Sequence, residues 1–294
     1  MKFCLHFANT TYPDPADAKR LALAAEAAGF ESVMATEHVI IPTHYTSKYP
    51  YSATGRMSSG IDAPRPDPLA WLTYVGALTS HLRLITGVLV LPQRNPLVLA
   101  KQVATIDHLT GGRLELGIGV GWLREEFEAL GVPFERRGAR SDEYIEAMRA
   151  LWDGDDASYR GEFVSFEGAS CNPKPANGRT PIVIGGNSKV AIRRAGKYAD
   201  GYFPATGDAG FDVAEAIKAL RQEAETAGRD PDAIQIMAGC PDALPGSGKD
   251  PLAAVAASAA AGVHRVVLPL APFEADLEAR LAEFGDKVIA PSGA

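Results

Sequence analysis

The chain has 294 residues, of which 46% are hydrophobic and 22% charged, and its formal net charge is −7. This composition is ordinary for a globular protein with a sizeable core, and the length suits two small domains or one α/β barrel. The acidic balance argues against a nucleic-acid or acidic-membrane binder, which needs a basic face. No apolar run approaches the ~20 residues of a membrane span, and the N-terminus lacks the apolar run of a signal peptide. Three cysteines without metal-like spacing indicate a cytoplasmic protein with neither disulfides nor structural zinc.

Short apolar runs alternate with longer amphipathic segments along the whole chain. Eight runs are predicted to be strands, at 2–8, 32–37, 82–91, 113–118, 181–185, 201–204, 234–239 and 265–269. The predicted helices are at 14–28, 69–79, 96–109, 140–152, 188–199, 212–227, 250–261 and 274–284. Alternating strands and helices indicate a parallel sheet, since parallel neighbours require a crossover connection.

Two segments interrupt this alternation. Residues 39–66 are a polar stretch rich in Tyr, Pro and Ser after the second strand, and residues 157–178 contain a predicted hairpin and loop before the fifth. Eight strand–helix units in this length predict one (β/α)8 TIM barrel, a single domain spanning 1–294 with these two insertions. The alternative is a doubly wound open sheet, which would normally carry a glycine fingerprint near its first strand, where this chain reads NTTYPDP.

The functional site of such a barrel lies at the C-terminal ends of its strands. This rule selects Asn9, Glu37 and His38, together with the segments 86–91, 117–122, 185–188, 204–207 and 239–241.

The stretch PIVIGGNS, residues 181–188, joins a buried-looking strand to a helix. Gly185 and Gly186 would let backbone N–H groups approach an anion, and Asn187 or Ser188 would cap the helix whose positive end faces it. Late βα loops commonly bind phosphate in these barrels, so the spacing favours a phosphate site over a simple tight turn with an N-cap. Basic residues that could add charge on this helix are Lys189, Arg193 and Arg194.

Glycines also mark the ends of the third and fourth strands. Gly87 near the outer end of an apolar strand indicates a bulge or the close approach of a flat ligand, or else relief of crowding inside the barrel. In GIGVGW, the alternating Gly117, Gly119 and Gly121 strip one face of the strand end, so a planar ring could lie against bare backbone. Their spacing does not match a dinucleotide fingerprint.

Glu37 and His38 end the second strand, and successive strand side chains point to opposite faces. We therefore do not expect both to enter the pocket. A histidine at this rim could donate or accept a proton, although a lone histidine is more often a satisfied structural residue. The other histidines show no metal-like spacing, there is no HExxH, and no Ser–His–Asp set can be identified, so no metal site is predicted.

Several long segments in the right order resemble the luciferase-like monooxygenase superfamily. They are VLAKQVATIDHLTGGRLELGIGVGWLREEFEALGVPFERRG, LWDGD and PIVIGGNSKVAIRRAGKYADGYFP. The resemblance runs from the first strand to about residue 207 and is greatest to actinobacterial members that use coenzyme F420, an 8-hydroxy-5-deazaflavin.

The resemblance implies a (β/α)8 barrel, a homodimer and hydride transfer between F420 and a small organic substrate. The alternative is an FMN-dependent monooxygenase that uses O2 and reduced flavin from a separate reductase. A third possibility is a non-redox barrel that binds a phosphorylated ligand.

The resemblance also implies roles for particular residues. Gly87 and Val88 would form the bulge beside the flavin-type ring, often with a non-prolyl cis peptide. The residues that would hold the cofactor phosphate are Gly185, Gly186, Asn187 and Ser188. Glu37 and His38 would act in catalysis with the histidine facing the ring, although relatives usually carry Asp before it.

The insertion after the second strand would shape the substrate pocket. His44 and Tyr45, with Tyr49 and Tyr51, would contribute to it together with Trp122. Some relatives have a catalytic Glu where this chain has Trp122, which disfavours sugar-phosphate-type chemistry. Candidates for binding the acidic tail of F420 are Arg94, Lys189 and Arg193.

Overall fold

The computed structural model describes residues 1–57, 60–205 and 211–293, and these form eleven strands, nine in a closed parallel barrel and two in a separate antiparallel hairpin. They are β1 (Lys2–His6), β2 (Ser32–Ala35), β3 (Arg83–Thr86), β4 (Leu89–Val90), β5 (Leu114–Gly119), β6 (Ala157–Arg160), β7 (Ser165–Ala169), β8 (Ile182–Gly185), β9 (Gly201–Phe203), β10 (Gln235–Gly239) and β11 (Arg265–Pro269). Barrel strands follow the order β3-β2-β1-β11-β10-β9-β8-β5, and pairing of β3 with β5 closes the ring. The predicted (β/α)8 barrel, with insertions after β2 and before β8, is confirmed.

Helices surround the barrel and follow its strands. They are α1 (Ala8–Thr11), α2 (Pro15–Ala27), α3 (Pro68–Leu78), α4 (Pro96–Leu109), α5 (Arg124–Ala129), α6 (Arg137–Asp153), α7 (Lys189–Tyr198), α8 (Val213–Thr226), α9 (Pro251–Ala260) and α10 (Leu277–Phe284). Several begin with proline after a capping side chain; Asn95, for example, accepts hydrogen bonds from the N–H groups of Leu97 and Val98 at the start of α4. Across the described ranges, no helix combines the length and apolarity needed to cross a membrane.

The structure departs from the predicted elements in two ways and agrees with them on the hairpin. The third predicted strand, 82–91, is broken into β3 and β4 at Gly87 and Val88. Helices α1 and α5 were not predicted, because four and six residues are too short to show a helical repeat. The predicted hairpin of the second insertion is present as the antiparallel pair β6–β7. Of the selected segment 204–207, Thr206 and Gly207 lie outside the described residues.

Side chains from alternate strand positions fill the barrel interior. The central group is apolar and consists of Cys4, Met34, Ile85, Val183, Phe203, Met237 and Val267. A larger apolar layer packs between the strands and the helices. The cysteines of the chain are buried and form no disulfide. The interior is therefore a packed core rather than a channel.

A cluster of charges lies at the N-terminal end of this core. The buried carboxylate of Glu115 accepts hydrogen bonds from Arg83 Nε (2.6 Å) and from both terminal nitrogens of Arg265 (2.8 and 2.9 Å). Arg265 is 3% exposed and also donates to Glu31 Oε1 (2.7 Å). Burial alone would raise the pKa of Glu115, but Arg265 and Arg83 lower it to about 2. These ion pairs join β3, β5 and β11 inside the barrel.

Replacing Glu115 by Gln is expected to destabilise the fold by about 3–5 kcal/mol, because Arg265 loses its main counter-charge while it stays buried. Chemical denaturation of the two proteins measures the difference. The control is Glu278→Gln, which removes one carboxylate from an exposed ion pair with Arg20 and is expected to change stability little. Equal stability of Glu115→Gln and the parent protein would contradict the prediction.

The contribution of Glu115 is also expected to depend on pH. Its folded-state pKa lies below the ordinary 4.5, so the carboxylate stabilises the fold fully above that pH, and the stabilisation is lost as the pH falls towards 2. The stability difference between the parent and Glu115→Gln therefore narrows over this range. Denaturation curves collected across it provide the test, and a difference that stays constant would refute the assignment.

Candidate active site

The break between β3 and β4 forms the floor of the barrel mouth. The Gly87–Val88 peptide bond is cis, as the resemblance implies. The Gly87 N–H donates to the Ala35 carbonyl (2.7 Å), and its own carbonyl accepts from Nε2 of His6 (3.1 Å). Burial lowers the pKa of His6 to about 4, so this ring is neutral near physiological pH. These bonds fix the bulge to β1 and β2.

The Val88 side chain packs over the glycines at the ends of β5 and β8. A Cβ atom at Gly119 or at Gly185 would lie 2.7 Å from a Val88 methyl group, which is too close for either position to hold a side chain. Val88 also contacts the apolar group inside the barrel. The expectation that Gly119 forms part of a bare backbone wall is therefore corrected. A flat ligand entering the mouth would meet Val88 above these glycines.

Glu37 is buried and holds the segment after the bulge. Its carboxylate accepts from the Val90 N–H (2.5 Å) and from Arg94, which also donates to Asp67 (2.8 Å). Burial raises the pKa of Glu37, and the Arg94 guanidinium opposes that shift. This geometry gives Glu37 a structural role, and the contacts do not support its predicted catalytic role. Arg94 forms ion pairs with the carboxylates of Glu37 and Asp67. This disfavours its predicted role in binding the acidic tail of F420.

Asn9 fixes the end of β2 just before Glu37. The fully buried amide donates to the carbonyl groups of Thr36 and Pro66 (both 2.9 Å) and accepts from the Thr36 N–H (2.9 Å). The Asn9 amide thus holds both the N–H and the carbonyl group of Thr36 and fixes the orientation of the backbone there. As predicted from strand alternation, Glu37 and His38 then point to different surroundings.

His38 lies at the mouth and is paired with a carboxylate of α5. Its Nδ1 is 3.0 Å from Glu126 Oε2, and the His38 side chain is 13% exposed. The other oxygen of Glu126 accepts from the N–H groups of Val39 (2.7 Å) and Ile40 (3.2 Å). Glu126 is 1% exposed. Together they form a histidine–carboxylate dyad whose acid was not predicted.

Aromatic rings of the first insertion surround Trp122. The Trp122 ring meets those of His38, Tyr45 and Tyr49 edge-on, at centroid distances of 5.9, 5.7 and 5.2 Å. Glu125, next to Glu126 on α5, fixes the same insertion by accepting from the N–H groups of Thr46 (2.6 Å) and Ser47 (3.1 Å). Tyr45 and Trp122, both predicted to contact substrate, are thus brought together. His44 is exposed and does not take part in these ring contacts.

A cavity of about 290 Å³ lies beside the mouth, between the starts of α6 and α7. Its walls include the N-terminal residues of both helices, whose N–H groups give a positive potential. Three arginines, Arg136, Arg137 and Arg194, also line it. Arg194 and Arg136 pair with Asp142 and Glu162, whereas Arg137 donates to the backbone carbonyl of Gly121 (3.0 Å). This donor set fits a phosphate group, because guanidinium groups and helix N-termini are both favoured anion partners.

Only part of the predicted phosphate loop faces this cavity. Gly185 and Ser188 line it, and the Ser188 hydroxyl accepts from the Ala191 N–H (3.1 Å) as the N-cap of α7. The expectation that the Gly186 N–H binds the anion is corrected, since it donates to the Phe203 carbonyl (3.1 Å). The amide of Asn187 bonds both backbone groups of Ala205 (2.7 and 3.3 Å) and so joins this loop to the next.

The remaining predicted residues lie elsewhere. Gly121 adopts a φ of 77°, and a Cβ there would overlap Phe127 and Val90 at 2.7 Å, so a turn and packing account for this glycine. Lys189 and Arg193 are exposed and do not line the cavity.

Sequence reasoning missed Arg136, Arg137 and Glu126. The two arginines stand just before the predicted helix 140–152, where loop positions show no periodicity. Glu126 lies on the six-residue helix α5. The acidic pair in WLREEF, directly after the strand-end glycines, is the signal that could have identified it.

The chain is thus a parallel barrel with a bulge after its third strand, and a histidine and an arginine-lined cavity lie at the C-terminal ends of its strands. The profile of the luciferase-like monooxygenase family matches residues 1–287, and the chain belongs to this family.

Relatives of known and unknown activity are similar over much of the chain. An uncharacterized protein of Mycobacterium tuberculosis (strain ATCC 25618 / H37Rv) is 36% identical over 217 residues, which cover 74% of this chain and 75% of the relative. The FMNH(2)-dependent dimethylsulfone monooxygenase of Pseudomonas fluorescens (strain Pf0-1) is 36% identical over 188 residues, covering 63% of this chain and 46% of the relative. The F420-dependent glucose-6-phosphate dehydrogenase of Mycolicibacterium gilvum (strain PYR-GCK) is 33% identical over 229 residues, covering 76% and 63%.

The fold is shared with the coenzyme F420-dependent tetrahydromethanopterin reductase from Methanopyrus kandleri. The TM-score is 0.75 at 19% identity, with 99% of each chain covered. The family thus consists of oxidoreductases and monooxygenases, and it has both F420- and FMN-dependent members.

Replacing Arg194 by Gln is expected to weaken the binding of inorganic phosphate at least about tenfold, because a charge-assisted hydrogen bond in the cavity is lost. Equilibrium dialysis with labelled phosphate measures the affinity. Arg193→Gln is the matched control, since Arg193 is the exposed neighbour on the same helix and does not line the cavity. Equal losses in both variants would argue against an anion site there.

Proposed function

We propose that this protein is an F420-dependent oxidoreductase that transfers a hydride between the deazaflavin coenzyme and a small organic substrate. The observation that carries the proposal is the His38–Glu126 dyad at the end of β2, beside the bulge at Gly87 and Val88. A histidine at this position is what the resemblance to deazaflavin-using relatives implies. Similarity to the F420-dependent dehydrogenase of Mycolicibacterium gilvum supports the same cofactor.

The residues of the mouth and the cavity fit such a coenzyme. Val88 would support the ring from below, and Arg137, Arg194 and Ser188 would hold the phosphate at the starts of α6 and α7. When bound, the deazaflavin would supply hydride chemistry without reaction with oxygen. The chain would then orient the coenzyme and the substrate.

His38 would handle the proton that accompanies hydride transfer. Its ring lies against Trp122 at the mouth, with Glu126 on the other side through Nδ1. The substrate would lie against Trp122 and Tyr45, whose rings form an apolar wall. The position that holds a catalytic Glu in some relatives is Trp122 here, which favours a substrate other than a sugar phosphate.

The second candidate is an FMN-dependent monooxygenase. It is supported by similarity to the FMNH(2)-dependent monooxygenase of Pseudomonas fluorescens, and the same phosphate cavity would serve FMN. This function requires reduced flavin from a reductase partner and O2 as co-substrate. A homodimer is proposed for either function on the family resemblance.

Titration of the cofactor-free protein with F420 and with FMN tests the cofactor. We expect F420 to bind with a dissociation constant in the micromolar range or below (about −8 kcal/mol or better), and FMN to bind at least about tenfold more weakly. Riboflavin and the phosphate-free deazaflavin serve as controls for the cavity, because they lack the group that the arginines would hold. A preference for FMN would redirect the assignment to oxygen-dependent chemistry, and binding of neither would refute the redox proposal.

The histidine is tested separately from cofactor binding. His38→Asn is expected to keep its affinity for F420 and to lose about 10²- to 10⁴-fold in kcat, the usual contribution of general acid–base catalysis. Turnover is followed by the absorbance of the oxidised coenzyme in a screen of alcohols and unsaturated carbonyl compounds. Unchanged kcat in His38→Asn would exclude a proton-transfer role.

A further inference from the structure

Glu126 makes two different kinds of contact with its two oxygens. Oε1 accepts from two consecutive backbone N–H groups, those of Val39 and Ile40, at 2.7 and 3.2 Å. Oε2 is 3.0 Å from Nδ1 of His38. The carboxylate is nearly completely buried, at 1% exposure, so these contacts are not exchanged with bulk solvent. Its orientation is therefore fixed by the backbone, independently of the histidine.

This arrangement determines which nitrogen of His38 carries a hydrogen. Oε1 accepts hydrogen bonds from two backbone N–H groups, and a carboxylate has no hydrogen to donate. The neutral His38 ring must then have its hydrogen on Nδ1 and a lone pair on Nε2. In many histidine sites the hydrogen bond made by one ring nitrogen determines in this way whether the other nitrogen carries a hydrogen.

We propose that Glu126 is the positioning residue that holds His38 as the Nδ1–H tautomer, so that Nε2 is a proton acceptor at the mouth. The inference rests on the proposed function, because it assigns His38 a part in the oxidation of an alcohol: Nε2 would accept the hydroxyl proton while the hydride on the carbon passes to the oxidised coenzyme, which leaves a carbonyl product. The Glu126 carboxylate would stabilise the resulting imidazolium. Glu126 is 1% exposed, so we expect it to act through the histidine rather than by direct contact with the substrate.

Glu126→Gln separates this role from a structural one. The N–H groups of Val39 and Ile40 still require an acceptor, so the amide oxygen is expected to face them and the amide NH2 to face Nδ1 of His38. An NH2 group can only donate, so the histidine is forced to the opposite tautomer, with its hydrogen on Nε2. The loop stays anchored while the acceptor at the mouth is lost.

The tautomer is measured by ¹⁵N NMR of the histidine rings in the coenzyme-free protein, at a pH where the ring is neutral. His38→Asn identifies the His38 signals. We expect the Nδ1–H tautomer in the parent protein and the Nε2–H tautomer in Glu126→Gln. An Nε2–H tautomer in the parent protein would overturn the proposal even if the variant failed to fold.

Kinetics on the coenzyme-loaded enzyme provide the second readout. A wrong tautomer with intact geometry lowers kcat by up to about 10⁴-fold in a comparable histidine–carboxylate pair, so we expect a loss on the order of 10³-fold in Glu126→Gln with the F420 affinity unchanged. An unchanged kcat, or a loss explained by weaker coenzyme binding, would overturn the positioning role.

Glu125→Gln is the matched control. Glu125 is the adjacent carboxylate on α5 and bonds the backbone of Thr46 and Ser47 rather than His38. Its replacement is expected to leave the His38 tautomer unchanged. A changed tautomer in this control would mean that loss of a loop anchor alone alters the tautomer, which would overturn the assignment to Glu126. Because the NMR measurement needs no coenzyme, failure of the tautomer assignment is distinguishable from failure of F420 binding.

Discussion

The packing of Val88 into the mouth of the barrel is the constraint on which the rest of the site depends. The third strand stops so that this side chain can turn inward over the apolar core, and the strands around it carry glycine because no Cβ fits beside its methyl groups. Hydrogen bonds from His6 and to Ala35 fix the bulge from two sides. The glycines at 119 and 185, which suggest a ligand when met in the sequence, therefore serve this packing first.

Three buried glutamates have different roles because their hydrogen-bond and ion-pair partners differ. Glu115 lies among arginines inside the barrel, where its ion pairs join strands that are far apart in sequence. Glu37 ends β2 and clamps the segment after the bulge through Arg94. Glu126 combines a loop anchor with a contact to His38 and is the carboxylate in direct contact with the ring at the mouth. The carboxylate adjacent to His38 in the sequence is therefore not the one that pairs with its ring. The pairing carboxylate is brought to the ring nitrogen by the fold.

The cavity beside the mouth depends on two helices that begin at the same place. The positive ends of α6 and α7 meet there, and Arg137 and Arg194 add charge from each helix. An acidic protein can carry this local positive charge because the electrostatic field at short range is set by the nearest groups rather than by the net charge. The cavity lies next to the bulge, because Gly119 and Gly185 line it and also pack against Val88.

The sequence by itself determined the barrel, the order of its strands along the chain, both insertions and the segments at the C-terminal ends of the strands, because hydrophobic periodicity and turn residues are local properties. It also indicated His38, Trp122 and the loop at Gly185. Only the tertiary structure decided that Glu126 pairs with His38 across 88 positions, that Glu37 is committed to Arg94, and that Arg137 and Arg194 line one cavity. Such contacts join residues distant in sequence, and neither spacing nor propensity encodes which side chains the closing of a barrel brings together.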